Sequence, residues 1–337
     1  GNYGLNASWT LYNGNKRLKT IQQEKLNNQV AELDVATSEN NIQESIAQVY
    51  IQILYAAESV KVNESTLQVS IAQRDRGQEL LNAGSIAKSD FAQLEAQVST
   101  DRYQLVTAQA TLEDYKLQLK QLLELDGENE MNIYLPALSD ENVLAPLPTK
   151  KDVYISALSL RPEIEASKLN VEASELGIGI AKSSYLPTIS LSAGIGTNHT
   201  SGSDFTFGEQ VKNGWNNSIG LSVSVPIFNN RQTKSAVQKA KLQYETSMLS
   251  LLDEQKTLYK TIEGLWLDAN SAQQRYAAAN EKLKSTQISY ELISEQFNLG
   301  MKNTIELLTE KNNLLQAQQE QLQAKYMAIL NTQLLKF

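Results

Sequence analysis

Residues 218–230 read SIGLSVSVPIFNN. Ile219, Leu221, Val223, Val225 and Ile227 are apolar, and Ser218, Gly220, Ser222 and Ser224 stand between them. Strict alternation puts one set on each face of a strand. From Asn230 onward the pattern turns long, polar and helical. The start of the chain carries the same junction. Tyr3, Leu5, Ala7, Trp9 and Leu11 alternate with Gly4, Asn6, Ser8 and Thr10, and Tyr12-Asn13-Gly14 leads into a helix. The offsets 220 − 4 and 229 − 13 are both 216, so the two glycines and the two asparagines mark one spacing.

That spacing continues without insertion. Tyr50 meets Trp266, Glu79 meets Glu295, Gly84 meets Gly300, Asp90 meets Glu306 and Ala108 meets Ala324. A constant offset over so long a span points to a tandem duplication. Repeat 1 spans 1–125, with a strand at 1–12 and a helical hairpin at 15–125 broken by Asn82-Ala83-Gly84-Ser85. A segment at 126–152, with Pro136, Pro146, Pro148 and Asp126-Gly127, separates the copies. Repeat 2 spans 153–337: a helix at 153–185, in which Pro162 opens a new segment, strands at 186–197 and 214–228 around a loop at 198–213, and a hairpin at 230–337 broken at Gly300. The strand at 186–197 has no counterpart in repeat 1. Its equivalent, and an N-terminal segment carrying it, are expected ahead of Gly1.

Composition narrows the function classes. The 337 residues are 41% hydrophobic but only 7% aromatic, with 6 prolines, which favours long helices with narrow apolar stripes over a thick core. Ile42, Ile46, Val49, Ile53, Ala57 and Val60 step by three or four, a coiled-coil-like seam. At 1.5 Å per residue the helix carrying it is on the order of 100 Å long. A net charge of −8 without a basic block argues against a nucleic-acid partner. There are no cysteines and one histidine, His199, so no disulfide framework or thiolate metal site exists, and neither a cofactor nor a metal is expected. No phosphate-cradling glycine loop and no Ser/His/Asp set can be placed, so an enzyme is not expected. His199 reads as an ordinary surface residue.

The strands leave two solutions open. A soluble sheet would bury its apolar face on a second sheet. A membrane barrel would turn that face to lipid and the Ser/Gly/Asn/Thr face to a lumen, and about 10 residues per strand suits a tilted span. Three or four strands cannot close a barrel, and open edges in lipid leave backbone groups unpaired, so several subunits would have to share one. The helices alone read as a structural rod. A periplasmic adaptor, also built on a long helical hairpin, is the nearest alternative by shape, but it has one hairpin between β-domains.

The junctions VSVPIFNNR (223–231) and ASWTLYNGNKR (7–17), the stretch 157–194, and the turns LNAGSIAKSDF (81–91) and FNLGMKNTIELL (297–308) together resemble the TolC-like outer-membrane efflux channels of Gram-negative bacteria. The resemblance covers essentially the whole chain. It implies a mainly α fold with β: a homotrimer in which each subunit gives four strands to a 12-stranded outer-membrane barrel continuous with a periplasmic helical tunnel. Segment 126–152 and the C-terminal end would form an equatorial region, and 198–213 an extracellular loop. The resemblance further implies a passive, gated exit channel for efflux or type I secretion, partnered by outer-membrane lipid, a periplasmic adaptor and, through it, an inner-membrane transporter.

Site residues follow position by position from the same resemblance. Ser89, Asp90, Phe297, Lys302 and Glu306 fall on the gate, with Lys302 expected to bond Ser89 or Asp90 in the closed state; Phe297 replaces a gate tyrosine, and Thr309 replaces a second acid. Asp90 and Glu306 also suit helix N-termini on simple electrostatic grounds. The adaptor would meet the turns at Gly84, Ser85, Ile86, Ala87 and Lys88 and at Gly300, Met301, Lys302, Asn303 and Thr304. Ile219, Leu221, Val223 and Val225 would face lipid.

Overall fold

The computed structural model describes residues 1–125, 133–134 and 143–336. Strand β1 (Asn2–Asn13) leads into helix α1 (Lys16–Asn82), which turns back as α2 (Lys88–Leu122). Helices α3 (Lys150–Leu160) and α4 (Pro162–Lys182) follow, and a 3-10 turn (Ser183–Tyr185) leads to β2 (Thr188–Asn198). A short helix α5 (Phe207–Asn213) precedes β3 (Asn216–Ser224), and the chain ends in α6 (Gln232–Asn298) and α7 (Thr304–Leu334). Two units result, Gly1–Thr37 with Leu158–Thr257, and Ser38–Ala157 with Leu258–Phe337. Among the described residues no helix is long and apolar enough to cross a membrane, which says nothing about the strands.

The first unit holds the sheet, an antiparallel β1-β2-β3 ribbon with β1 and β3 as its edges. Its register aligns the apolar residues into rows. Trp9 pairs with Leu191, which pairs with Leu221, and Ala7 pairs with Ala193, which pairs with Ile219. Ser8, Ser192 and Gly220 form a row on the opposite face. One feature departs from simple alternation. Thr10 pairs with Ser190 but Tyr12 with Ile189, so Leu11 is an extra residue. Such a bulge shifts the alternation by one, and Tyr12 continues the apolar row that Leu11 would otherwise occupy.

Several boundaries differ from the sequence reading. Strand β3 covers 216–224 rather than 214–228, leaving Val225 outside the strand though still exposed. Its pairing ends where its partner begins, Thr188 against Ser224, and Pro226 has no N–H to extend a ladder. The loop at 198–213 contains α5, started by Thr206 and Glu209 in a reciprocal capping box. Pro162 opens a new helix, as its place in the sequence predicts, because a proline disfavours helical backbone in the residue before it and Arg161 is extended; the first of the two helices begins at Lys150 rather than 153.

The strand-to-helix junctions share one conformation. Gly14 and Asn15 have φ of 68° and 62°, and Asn230 and Arg231 have 51° and 63°. The carbonyl of Asn15 accepts from Lys19 N at 3.1 Å, and that of Arg231 from Ser235 N at 2.9 Å. Helices α1 and α6 have 67 residues each, and the offsets 232 − 16, 298 − 82 and 304 − 88 are all 216. A side chain at Gly14 would meet the Ser183 carbonyl at 2.7 Å and Leu186 Cβ at 2.9 Å. Gly14→Ala is expected to cost roughly 1–3 kcal/mol through strain and overlap. Asn230→Gly, at the equivalent turn, should leave stability within about 0.5 kcal/mol. Thermal unfolding of the two variants in detergent checks the contrast.

The second unit contains a hydrophobic cluster of Ile51 and Leu54 from α1, Val143, Ala272 and Tyr276 from α6, and Leu322, Tyr326, Ala328 and Ile329 from α7. The segment beside Val143 is tied down by side chains. Gln273 Nε2 donates to the carbonyls of Val143 (3.0 Å) and Ala145 (2.8 Å). Trp266 Nε1 donates to Pro148 O at 3.0 Å, and Tyr50 Oη to Tyr134 O at 2.7 Å. Tyr50 and Trp266, equivalent at the 216 offset, thus each hold a carbonyl of the same segment. Of the expected equatorial stretch 126–152, residues 126–132 and 135–142 lie outside the described residues.

Candidate functional site

Two regions carry features that packing within the chain does not account for. The first is the apolar face of the sheet. Leu5, Trp9, Ile219, Leu221 and Val223 are all exposed, Ile219 at 84%, and Ile227 beyond the strand is at 96%. The aligned rows therefore form one continuous bare apolar surface, far beyond the scattered exposed side chains of an ordinary soluble surface. Ile219, Leu221 and Val223, assigned to lipid from sequence, share this face with Trp9 and Leu5. Near the loop end, Tyr3 packs edge-on to Phe207 at 6.4 Å and the His199 ring lies 5.1 Å from Phe207. His199 thus belongs to an aromatic contact rather than standing free.

The second region is the pair of hairpin tips. Each helix ends in the same motif. Ser85 N donates to Leu80 O at 2.8 Å and Gly84 N to Leu81 O at 3.0 Å; Met301 N donates to Gln296 O at 2.8 Å and Gly300 N to Phe297 O at 2.9 Å. Gly84 and Gly300 take φ of +72° and +73°, the left-handed cap position that glycine occupies at little cost. Helix α2 starts at Lys88 after Ala87, and Asp90 Oδ2 accepts from Ala87 N at 3.3 Å. Alanine has no side-chain acceptor, so only this half of a capping box forms. Helix α7 has the whole box: Asn303 Oδ1 accepts from Glu306 N at 2.9 Å, and Glu306 Oε2 accepts from Asn303 N at 3.1 Å.

In this chain the charged tip residues have local partners. Lys302 Nζ donates to Glu306 Oε1 at 2.6 Å, one helical turn away, and Asp90 caps its own helix. Lys302 lies just ahead of the Asn303 cap, and its ammonium reaches forward to the first-turn carboxylate of Glu306. Phe297 is 4% exposed and Thr304 2%, so neither presents a free surface in this chain. The Thr304 hydroxyl is enclosed without a hydrogen-bond partner. In their place Leu299 (75%), Met301 (71%) and Ile305 (61%) are exposed. Sequence reading singled out only Met301 of these. The available signal was a comparison across the 216 offset, which sets Leu299, Met301 and Ile305 against Ala83, Ser85 and Ser89.

The Glu306 carboxyl is held below the ordinary carboxylate range by its hydrogen bond from Lys302 and then by the Asn303 N–H. A depressed folded-state value adds stability that is present above the unfolded carboxylate value and lost as pH falls through the folded one. Acidification through that window is therefore expected to fray the first turn of α7. Amide exchange at residues 304–307, measured against the middle of α7, should show the change.

One charged cluster had no sequence signal. Ser70 of α1, Asp101 of α2 and Lys311 of α7 are 2%, 2% and 3% exposed. Lys311 Nζ donates to Asp101 Oδ2 and to Ser70 Oγ, and Ser70 Oγ donates to Asp101 Oδ2. Gln97 Nε2 donates to the other carboxylate oxygen at 3.0 Å and contacts Asn312 Oδ1 at 3.3 Å. Burial pulls the Lys311 ammonium below its ordinary value, and Asp101 opposes that shift. Among the described residues no group of three His, Cys, Asp or Glu side chains is placed to hold a metal.

Comparison with known proteins agrees with the geometry. Residues 153–336 match the outer membrane efflux protein family. The chain is 24% identical to the outer membrane efflux protein BepC of Brucella suis over 290 residues, covering 86% of this chain and 60% of that protein. It is 23% identical to the outer membrane protein TolC of Escherichia coli over 311 residues, covering 90% and 62% respectively. It thus spans about six tenths of the length of these relatives. A crystal structure of CusC, studied for folding and transmembrane channel formation, superposes with a TM-score of 0.83 at 19% identity over 98% of this chain and 75% of that one.

Proposed function

The chain belongs to the outer membrane efflux protein family, and from that premise we propose that it forms an outer-membrane exit channel of an efflux or type I secretion system. Its place is the outer membrane of a Gram-negative bacterium. One observation carries the reading: a three-stranded sheet with a continuous bare apolar face and two unpaired edges. In water such a sheet is a poor solution, because the apolar face stays hydrated and the edges invite uncontrolled pairing. In lipid the same face is solvated. The edges, however, must then be paired, since lipid offers no hydrogen bonds. Copies of the chain that close the sheet into one barrel satisfy both demands.

The finer assignments rest on the resemblance: a homotrimer, twelve strands, two tandem repeats per chain, and helices forming a periplasmic conduit. The small uncharged face of Ser8, Ser192 and Gly220 suits a water-filled lumen that conducts without selecting. Movement through it needs no chemistry, so the protein acts as a conduit rather than an enzyme. A periplasmic adaptor meets the hairpin tips, and exposed Leu299, Met301 and Ile305 supply apolar contact there. The adaptor links the channel to an inner-membrane transporter.

Purification and planar-bilayer recording test the reading. A channel requires detergent, runs as a trimer and conducts ions. A monodisperse protein that stays soluble without detergent and conducts nothing would instead be the rod or adaptor that the helices alone suggest.

A further inference from the structure

We propose that the loop helix α5 is a membrane-surface element: it lies over the lipid-facing rim of the sheet, seated by its aromatic rings in the headgroup layer of the outer leaflet, and does not stand over the mouth of the pore. This rests on the channel reading above and gives a role to a part of the chain that the reading leaves without one. The contacts of α5 choose a face. Tyr3 of β1 pairs with Thr197 of β2, on the same face as the pairs Leu5–Ile195 and Trp9–Leu191. His199 N donates to Gly1 O at 2.7 Å, which carries that register one step further along the same face. Tyr3 and His199 both meet the Phe207 ring, and Thr197 Oγ1 donates to Val211 O at 2.9 Å. Helix α5 is therefore folded over the apolar face at its loop end.

Among the described hydrogen bonds and ring pairs, none joins α5 to the small polar face. There the side chains crowd one another instead: a side chain at Gly194 would meet Asn6 Oδ1 at 2.7 Å and Ser218 Oγ at 2.9 Å. The helix also lacks cover of its own. No residue of α5 is fully buried, and seven residues are too few to hold a helix by propensity alone. Phe205, Phe207 and Trp215 are each more than half exposed, and Asp204, Glu209 and Lys212 stand exposed among them. Bare rings mixed with charges suit neither bulk water nor the acyl core. They suit the layer between, where rings meet apolar chains on one side and charges meet water on the other. The occupant is lipid because the bare rings continue, without a break, the exposed face of Leu5 and Trp9.

The depth agrees with this placement. Tyr12, Tyr185 and Phe228 lie at the other end of the sheet, beside the strand-to-helix junctions, and Tyr185 and Phe228 are exposed. From Tyr3 to Tyr12, β1 rises roughly 23 Å at about 3.4 Å per residue and a tilt of about 40°, close to the apolar band of about 25 Å around a membrane barrel. Aromatic side chains thus mark both limits of the band, and α5 sits at the limit away from the long helices.

The test uses the full chain in phosphatidylcholine vesicles that carry a nitroxide either on the headgroup or deep in the acyl chain. The sequence has no cysteine, so an introduced thiol is the only one to take a fluorescent label. A label on Lys212→Cys should lose roughly twice as much emission to the headgroup nitroxide as to the deep one. A label on Leu221→Cys should show the reverse preference, and one on Ser222→Cys should respond only to iodide in the water. Adding Phe205→Ser and Phe207→Ser should bring the label at 212 down to the response at 222 and leave the label at 221 unchanged. A label at 212 that answers to iodide alone in the parent loop would put α5 in water and overturn the proposal. So would a headgroup response that survives loss of both rings. If the label at 221 also ignores both nitroxides, the sheet is not in lipid, and the channel reading fails together with the placement of α5.

Discussion

Val223→Asp should remove the protein from the folded, membrane-inserted pool, while Ser222→Asp beside it should leave assembly close to the parent level. The two positions are adjacent on β3 and pair with Ile189 and Ser190 of β2, so they stand on opposite faces. Val223 is 59% exposed on the face shared with Leu221 and Trp9. On the lipid face of a barrel a charge costs roughly 2–4 kcal/mol at the midplane for Arg or Lys, and somewhat less for Asp. Even a fraction of that exceeds the 1.4 kcal/mol or so that changes a population tenfold. On the lumen face the same carboxylate meets water and costs little. Folding into lipid vesicles, followed by the gel-mobility shift of folded barrel, measures both variants. Equal losses would mean that the two faces are not divided between lipid and water.

Tyr276→Ala should be the most damaging single truncation in the helical unit. Tyr276 is fully enclosed among Ile51, Leu54, Val143, Leu322 and Tyr326, side chains from both hairpins and the intervening segment. Removing an aromatic ring from such a place loses its transfer free energy and leaves a cavity that long helices cannot collapse around. The expected cost is roughly 3–5 kcal/mol. Tyr103 on α2 is 74% exposed, and Tyr103→Ala should stay within about 0.5 kcal/mol. The helical circular-dichroism transition of the two variants shows the difference. Similar midpoints would mean that the cluster is not the core of its unit.

The site was legible in uneven parts. The apolar face of β3 could be read directly because alternation along one strand already assigns faces, and pairing only extended the rows sideways. The tip turns were legible because a glycine between two polar helix ends is a local signal, and both glycines adopt the left-handed cap. Val225 was assigned to the strand because alternation continues past the point where pairing stops. Where a ladder ends depends on the partner strand, which turns at Thr188. The local bond of Lys302 to Glu306 had no sequence reading behind it, since Lys302 stands ahead of the helix that Glu306 starts.

By itself the sequence determined the order of elements, the two strand-to-helix junctions, the 216-residue spacing and the division of each strand into an apolar and a small polar face. All are set by short-range patterns: period two, period near 3.6, and turn residues with their own backbone preferences. Only the tertiary structure decided what lies buried. Ser70, Asp101 and Lys311 are unremarkable polar residues on three helices, and their meeting depends on the rotation of each helix about its axis and on the helices' relative register. Neither quantity is written in a local pattern, because a narrow seam leaves neighbouring faces nearly equivalent. The enclosure of Phe297 and Thr304, and the exposure of Leu299 and Ile305 in their place, were settled the same way, by which side of each helix end the packing chose to cover.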